Sequence, residues 1–346
     1  MTKQRTCTTA VLIFVLSSFS AVYAAEQYDQ TVAEPLESVR EEAAHPWLSI
    51  EIESLFLFSD FGQQSIGYAL NDDPGNNALA SFGSVTDTER LSFSPRLTVA
   101  YKCDNGWGLR SRFFHMETHN HGAVPPLNPA LVFATGSSGF RAYTVDLEVT
   151  RAACFGNWDL VGSLGARHGS ISYDQQLHVT ADLDLGGGAF ASFPGSSISM
   201  SDAKGTGLTF ALSGVRPVNC NWGLFWNLRG SALWGPVDAY AFTSASASSA
   251  GAYGFSNNLA FGSEDTDLWI GEAQLGVQCS YDLPCCGAVA FLRLTGEFQS
   301  WSADQVTAVS GSTATIGGTA TNVTSAQASG IDADLFGFGV SAELNW

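Results

Sequence analysis

Phe336, Phe338, Val340, Ala342, Leu344 and Trp346 close the chain at every second position, with Gly337, Gly339, Ser341, Glu343 and Asn345 between them. Successive side chains of a strand point to opposite faces, so this segment has one apolar face and one small or polar face. The pattern recurs. Trp222, Leu224, Trp226, Leu228, Ala232 and Trp234 alternate with Asn227, Arg229 and Ser231, and Leu91, Phe93, Leu97, Val99 and Tyr101 with Ser92, Ser94, Arg96 and Thr98. Tyr143, Val145, Leu147 and Val149 oppose Thr144, Asp146, Glu148 and Thr150, and similar runs surround Ile50, Leu275 and Leu292. The runs extend over about 10 to 14 residues, the length that crosses a bilayer at a tilt. Ordinary strands of soluble proteins are about half as long.

The polar parity carries full charges in mid-strand: Glu51, Glu53, Arg96, Arg110, Arg112, Asp146, Glu148, Arg167, Arg229, Glu272, Arg293, Glu297 and Glu343. These residues are predicted to line the lumen of a barrel. Both signs occur on neighbouring strands. Arginine is preferred to lysine, and guanidinium pairs bidentately with carboxylate and tolerates partial burial.

Strands are predicted near 47–58, 88–101, 106–118, 140–153, 158–174, 205–217, 222–234, 266–281, 287–301 and 331–346. The alternation is imperfect in 106–118 and 158–174, which leaves counts of eight or twelve open. Short connections rich in Asn, Asp, Gly and Pro alternate with long ones covering roughly 59–87, 119–138, 175–204, 235–264 and 302–330. Such an alternation marks outer-membrane barrels, with short periplasmic turns and long extracellular loops. The predicted fold is therefore all-β, an antiparallel up-and-down transmembrane β-barrel of about ten strands. Trp107, Trp158, Trp222, Trp234, Trp269, Trp301 and Trp346 fall near strand ends and are expected to form aromatic girdles at the headgroup level. A soluble β-sandwich is the rival architecture.

Composition narrows the setting. Charged residues make up 14 % of the chain, yet the net charge is −18, and after Lys3 the only lysines are Lys102 and Lys204. So acidic a chain is a poor partner for nucleic acid. Lys3 and Arg5, the apolar run from Ala10 towards Phe19, and Val22-Tyr23-Ala24 read as a signal peptide cut after Ala24. Residues 25–46 read as an acidic periplasmic leader, with a plug inside the lumen as the alternative, and 47–346 as the barrel. The expected location is the outer membrane of a bacterial cell. The last strand, ending in Trp346, resembles the C-terminal signal read by the barrel assembly machinery.

Pro46-Trp47, the run Tyr101-Lys102-Cys103-Asp104-Asn105-Gly106-Trp107-Gly108, and the closing Phe336-Gly337-Phe338-Gly339-Val340 resemble the Legionella major outer membrane protein family over about residues 46–346. The resemblance implies a pore-forming integral outer-membrane protein and carries over no individual functional residue.

Cys103, Cys154, Cys220, Cys285 and Cys286 sit in short turns and Cys279 just before one. Disulfides stapling this rim are expected, with free thiols and a metal site as alternatives. His115, His119 and His121, with Glu117, share one parity at the top of the third strand. They are weak candidates for a transition-metal site; three solvated histidines are the plainer reading.

The pattern calls for no cofactor and no catalytic apparatus. A porin-like channel for small hydrophilic solutes is the leading expectation. A non-conducting structural or adhesive surface protein is the alternative, and an outer-membrane hydrolase drawing on Asp72-Asp73 and the histidines comes third. Expected partners are outer-membrane lipid, the assembly machinery, small solutes if the lumen is open, and further copies of the chain.

Overall fold

The computed structural model describes residues 47–61, 65–71, 78–82, 91–123, 132–184, 190–219, 221–249, 252–283, 287–303, 306–316 and 320–346. The expected signal peptide and acidic leader, Asp72-Asp73, Cys220, Cys285 and Cys286 lie outside the described residues. In chain order the strands are β1 (Trp47–Phe61), β2 (Ser65–Asn71), β3 (Ala78–Phe82), β4 (Ser92–Lys102), β5 (Trp107–Ala123), β6 (Val132–Phe155) and β7 (Trp158–Asp184). There follow β8 (Phe190–Pro217), β9 (Trp222–Ser249), β10 (Ala252–Leu283), β11 (Ala288–Ala303), β12 (Ala308–Ile316), β13 (Ala320–Ala328) and β14 (Asp332–Asn345).

Ten of these close an antiparallel barrel in the order β1-β14-β11-β10-β9-β8-β7-β6-β5-β4. The first strand meets the last: Ser49 lies opposite Asn345, and Leu48 and Trp346 exchange both backbone hydrogen bonds at 2.8 and 3.1 Å. Closure leaves the barrel no bare edge at this level. An even number of strands puts the start of β1 and the end of β14 on the short-turn side. There Gly106, Gly156 and Gly287 take φ of +78°, +57° and +64°, a region open to glycine at little cost.

The long connections differ from expectation. Most of 119–138, 175–204 and 235–264 is strand, so that β7, β8, β9 and β10 run for 27, 28, 28 and 32 residues. Pairing continues far beyond the predicted strand ends, with Tyr240 opposite Phe261 and Ser246 opposite Phe255. The other two connections form a second sheet in the order β12-β13-β2-β3. This sheet lies against the inward face of the extended wall. Tyr68 Oη donates to the Phe193 carbonyl at 2.9 Å, and Asn322 Nδ2 to the Pro194 carbonyl at 2.9 Å. The Thr243 and Ser310 hydroxyls meet at 2.9 Å. Close approach of β12 to β10 needs glycine. A methyl group at Gly262 would lie 2.9 Å from Val306 Cγ1, and one at Gly254 would lie 3.1 Å from the Thr315 carbonyl oxygen.

Candidate functional site

The barrel interior is built in two levels. At the short-turn level the inward side chains are ionic. All thirteen residues predicted to line the lumen face inward, and every one of them is in an ion pair. Arg167 takes both carboxylate oxygens of Asp146, at 2.6 and 2.7 Å, and reaches Glu272 at 2.6 Å. Arg96 bridges Glu53 at 2.7 Å and Glu297 at 2.6 Å. Arg112 binds Glu272 at 2.5 Å, Arg110 binds Glu148 at 2.5 Å, and Arg229 binds Glu148 as well. Nearer the turns, Arg293 joins Glu51 and Glu343. Asn227 and Gln274 extend the set, Gln274 donating to Glu53 at 3.0 Å.

The partners come from strands that are not neighbours, three apart in the ring of ten for two of the pairs and directly opposite for β5 and β10. β4 reaches β11, β5 reaches β10, and β7 reaches β10. The network therefore crosses the bore instead of running around its wall. Side-chain exposure of Arg96, Arg112, Arg167 and Arg229 is 5 % or less. Such buried charges are tolerable only because each meets opposite charge at hydrogen-bonding distance.

One level further from the short turns, the same inward parity turns apolar. Glu51 and Glu53 give way to Leu55 and Leu57, Arg110 and Arg112 to Phe114 and Met116, and Glu272 to Ile270 and Leu268. Asp146 gives way to Ala142 and Phe140, and Arg167 to Ile171. These side chains belong to one buried apolar cluster that continues into the contact between the wall and the inner sheet. A short relay joins the two levels: Trp301 Nε1 donates to Gln299 Oε1 at 3.1 Å, and Gln299 Nε2 to Glu297 at 2.8 Å. Arg96 also stacks over Phe114 at 5.4 Å.

The outward parity undergoes the opposite change at the same height. Beside the ionic layer it is apolar on each barrel strand, with Ile52, Leu97, Leu109, Leu147, Leu164, Phe210, Leu224, Leu275, Leu292 and Val340 all exposed. Beside the apolar layer it is polar: Asp60 follows Phe58, Arg141 follows Val145, Asp267 follows Trp269, and Asp334 precedes Phe336. Trp234 and Trp269 mark this boundary, while Trp107, Trp222 and Trp346 mark the short-turn end, each about half exposed. Trp158 sits at that end too, with its ring 6.3 Å from that of Trp226. Trp301 does not join the girdle. It is fully buried inside the barrel, because an odd number on β11 puts it on the parity of Glu297 and Gln299.

The remaining candidates disperse. Cys103, Cys154 and Cys279 are free thiols, so none of these three contributes to the expected staple. His115, His119 and His121 lie on the outward face of β5 and not in the lumen, since Arg112, Phe114 and Met116 occupy the inward parity. Among the described residues no three His, Cys, Asp or Glu side chains are grouped to hold a metal ion. Glu117 is engaged otherwise, accepting from Arg141 Nη2 at 2.8 Å and lying 3.0 Å from His119 Nε2. Those two hydrogen bonds hold its carboxyl below the usual range. Asp332 is displaced upwards by burial and by the carboxylates of Asp334 and Asp60. The crossing of the lumen by specific partners was beyond the reach of alternation; the charged residues themselves were its signal.

No protein-family model matches the chain, and no curated protein sequence does. Among solved structures, the outer membrane protease OmpT from Escherichia coli aligns with 92 % of this chain and 99 % of its own, at 10 % identity and a TM-score of 0.41. Ail, the attachment invasion locus protein of Yersinia pestis, aligns with 59 % of this chain and 98 % of its own, at 14 % identity and a TM-score of 0.26. The outer membrane protein OprG from Pseudomonas aeruginosa aligns with 86 % of this chain and 98 % of its own, at 10 % identity and a TM-score of 0.26.

Proposed function

We propose that the chain is an integral barrel of a bacterial outer membrane, closed to solute flow, which holds an extended β-wall outside the lipid as a structural or adhesive surface. The membrane part of this reading is supported by the paired inversion of the two parities. Exposed leucine, valine, phenylalanine and isoleucine on all ten strands are costly in water and favourable in hydrocarbon. On β10 the outward residues from Trp269 to Tyr281 climb about 28 Å at a strand tilt near 45°, close to the apolar band of such barrels. In the rows just beyond that band Asp60, Arg141, Asp267 and Asp334 face outward while the inward side chains are apolar, the arrangement that water favours.

A single observation favours closure over conduction: the ionic network spans the bore and an apolar layer is stacked on top of it. Barrels of few strands are filled by their own side chains, whereas wide aqueous channels need more strands. Here arginines and carboxylates neutralise one another, so no run of unpaired charge guides an ion. The pore-forming property implied by the Legionella family resemblance would require this packing to open.

Planar-bilayer recording on detergent-purified full-length protein tests the reading. The expected result is insertion without steady conductance. Stable ohmic current that scales with salt would replace it by the porin-like reading. Hydrolysis of a peptide or lipid panel by the refolded protein would bring the enzyme reading forward.

A further inference from the structure

The outward wall just beyond the apolar belt is electrically lopsided. On β9 and β10 it presents Asp238, Asp265 and Asp267, and on β1 and β14 Asp60, Asp332 and Asp334. On β6, β7 and β8 the first polar row is different. Tyr143, Ser170 and Lys204 lie side by side in the ladder, with Val145, His168 and Thr206 one row nearer the belt and Arg141, Ser172 and Asp202 one row further away. Among the described residues, Arg141 and Lys204 are the only arginine and lysine on the outward wall beyond the belt. In a chain of net charge −18, both fall within this one sector.

The sector is also ordered. His168 is held between two hydroxyls, Tyr143 Oη at 3.2 Å from Nε2 and Thr206 Oγ1 at 2.9 Å from Nδ1. The Tyr143 and His168 rings sit 5.9 Å apart. Arg141 is anchored through Nη2 to Glu117 and remains about half exposed. Adjacent strands are about 4.8 Å apart, so Lys204 and the Tyr143–Arg141 pair stand about 10 Å from each other with Ser170 and Ser172 between. Two cations flanking a floor of hydroxyls fit one phosphate group. Below the floor the surface is lipid-facing: Leu147 and Leu208 are each more than half exposed. A ligand that occupies both zones has a phosphate on the same short backbone that carries its acyl chains.

We propose that the β6–β8 sector binds the phosphate of a lipid in the outer leaflet, with Lys204 and Arg141 as the charged ligands, Ser170 and Ser172 as hydroxyl donors, and Tyr143 and His168 as the ordered frame. The proposal rests on the membrane reading above. The negative groups facing the site are Glu117, Asp174, Asp202 and, opposite Asp202 on β9, Asp238, whose carboxylate accepts from Ser263 Oγ at 2.5 Å. Glu117 is already bonded to Arg141 and His119, and Asp174 and Asp202 lie further from the belt than Lys204. They set the outer limit of the site and disfavour a ligand carrying negative charge away from the membrane surface.

The test has two stages. Full-length protein is first offered to phosphatidylcholine vesicles; failure to insert would overturn the membrane reading and this proposal with it. Inserted protein is then extracted in mild detergent and titrated, by native mass spectrometry, with phosphatidic acid, with diacylglycerol and with inorganic phosphate. Phosphatidic acid is expected to bind at least about tenfold more tightly than either of the others, a factor equivalent to one charge-assisted hydrogen bond. Lys204→Ala with Arg141→Ala should remove that preference, Lys204→Arg should keep it, and Asp265→Asn with Asp267→Asn on the opposite sector should leave it unchanged. Equal binding of diacylglycerol, equal binding of inorganic phosphate, or full retention of the preference by the double alanine variant would each overturn the site while leaving the membrane reading intact.

Discussion

Arg167 and Asp146 face each other across the β6–β7 ladder and meet through two parallel hydrogen bonds, Nε to Oδ1 at 2.6 Å and Nη2 to Oδ2 at 2.7 Å, with both side chains fully buried. The free Nη1 then crosses to Glu272 on β10 at 2.6 Å. A strand neighbour fixes the guanidinium plane, and the fixed plane aims its third nitrogen across the lumen.

Arg167→Met should therefore take from Asp146 its bidentate partner and from Glu272 one of its two close cations, leaving Arg112 and Arg229 to balance them. Loss of one partner from a buried pair costs about 3–5 kcal/mol. The expected outcome is a lower urea midpoint for unfolding of the refolded barrel in detergent. Arg167→Met combined with Asp146→Leu should recover part of the loss, because both charges of the bidentate pair are then gone. A single variant as stable as the parent would show that the network contributes little.

Trp301 and Trp269 lie on neighbouring strands but face opposite ways. Trp301→Ala removes a fully buried ring and should cost about 3–5 kcal/mol. Trp269→Ala should cost much less, since that ring is more than half exposed. Its loss should instead alter quenching of the remaining tryptophans by brominated lipid. Equal destabilisation by the two substitutions would contradict the assigned facing.

The cluster of Asp332, Asp334 and Asp60 gives a pH dependence of definite sign. The folded-state value of Asp332 is raised by burial and by its two neighbours, so its ionised form opposes folding. Protonation as the pH falls through the raised value relieves that opposition. Asp332→Asn should accordingly raise the melting temperature at neutral pH, and the gain should vanish below the ordinary carboxylate range. A gain that persists unchanged in acid would mean that the repulsion is not its source.

Cys103, Cys154 and Cys279 are free, and Cys154 is exposed at the short-turn end, 3.5 Å from Asp159 Oδ1. Maleimide added to folded, unreduced protein should label Cys154 quickly and Cys279 slowly. Absence of labelling at Cys154 until reductant is added would restore the disulfide expectation.

Alternation by itself pointed to about ten barrel strands, with eight or twelve still open, and determined the inward parity and the thirteen ionic residues of the lumen, because side-chain direction in a strand is a local property with a period of two. Even the change from Glu53 to Leu55 and from Arg112 to Phe114 is written along single strands, although its meaning needs the outward change at the same height. The upper wall was not legible. Its inward residues are Ala239, Ala241, Thr243, Ala245 and Ala247 and its outward ones include Ser244, Ser246 and Ser248, too alike in polarity to distinguish strand from loop. Only the inner sheet, formed by segments more than 60 residues away along the chain, gives those small side chains something to pack against. Tertiary structure likewise decided which arginine meets which carboxylate. Arg96 finds Glu297 through a separation of 201 residues, a meeting that barrel closure and strand stagger impose and that no local period encodes.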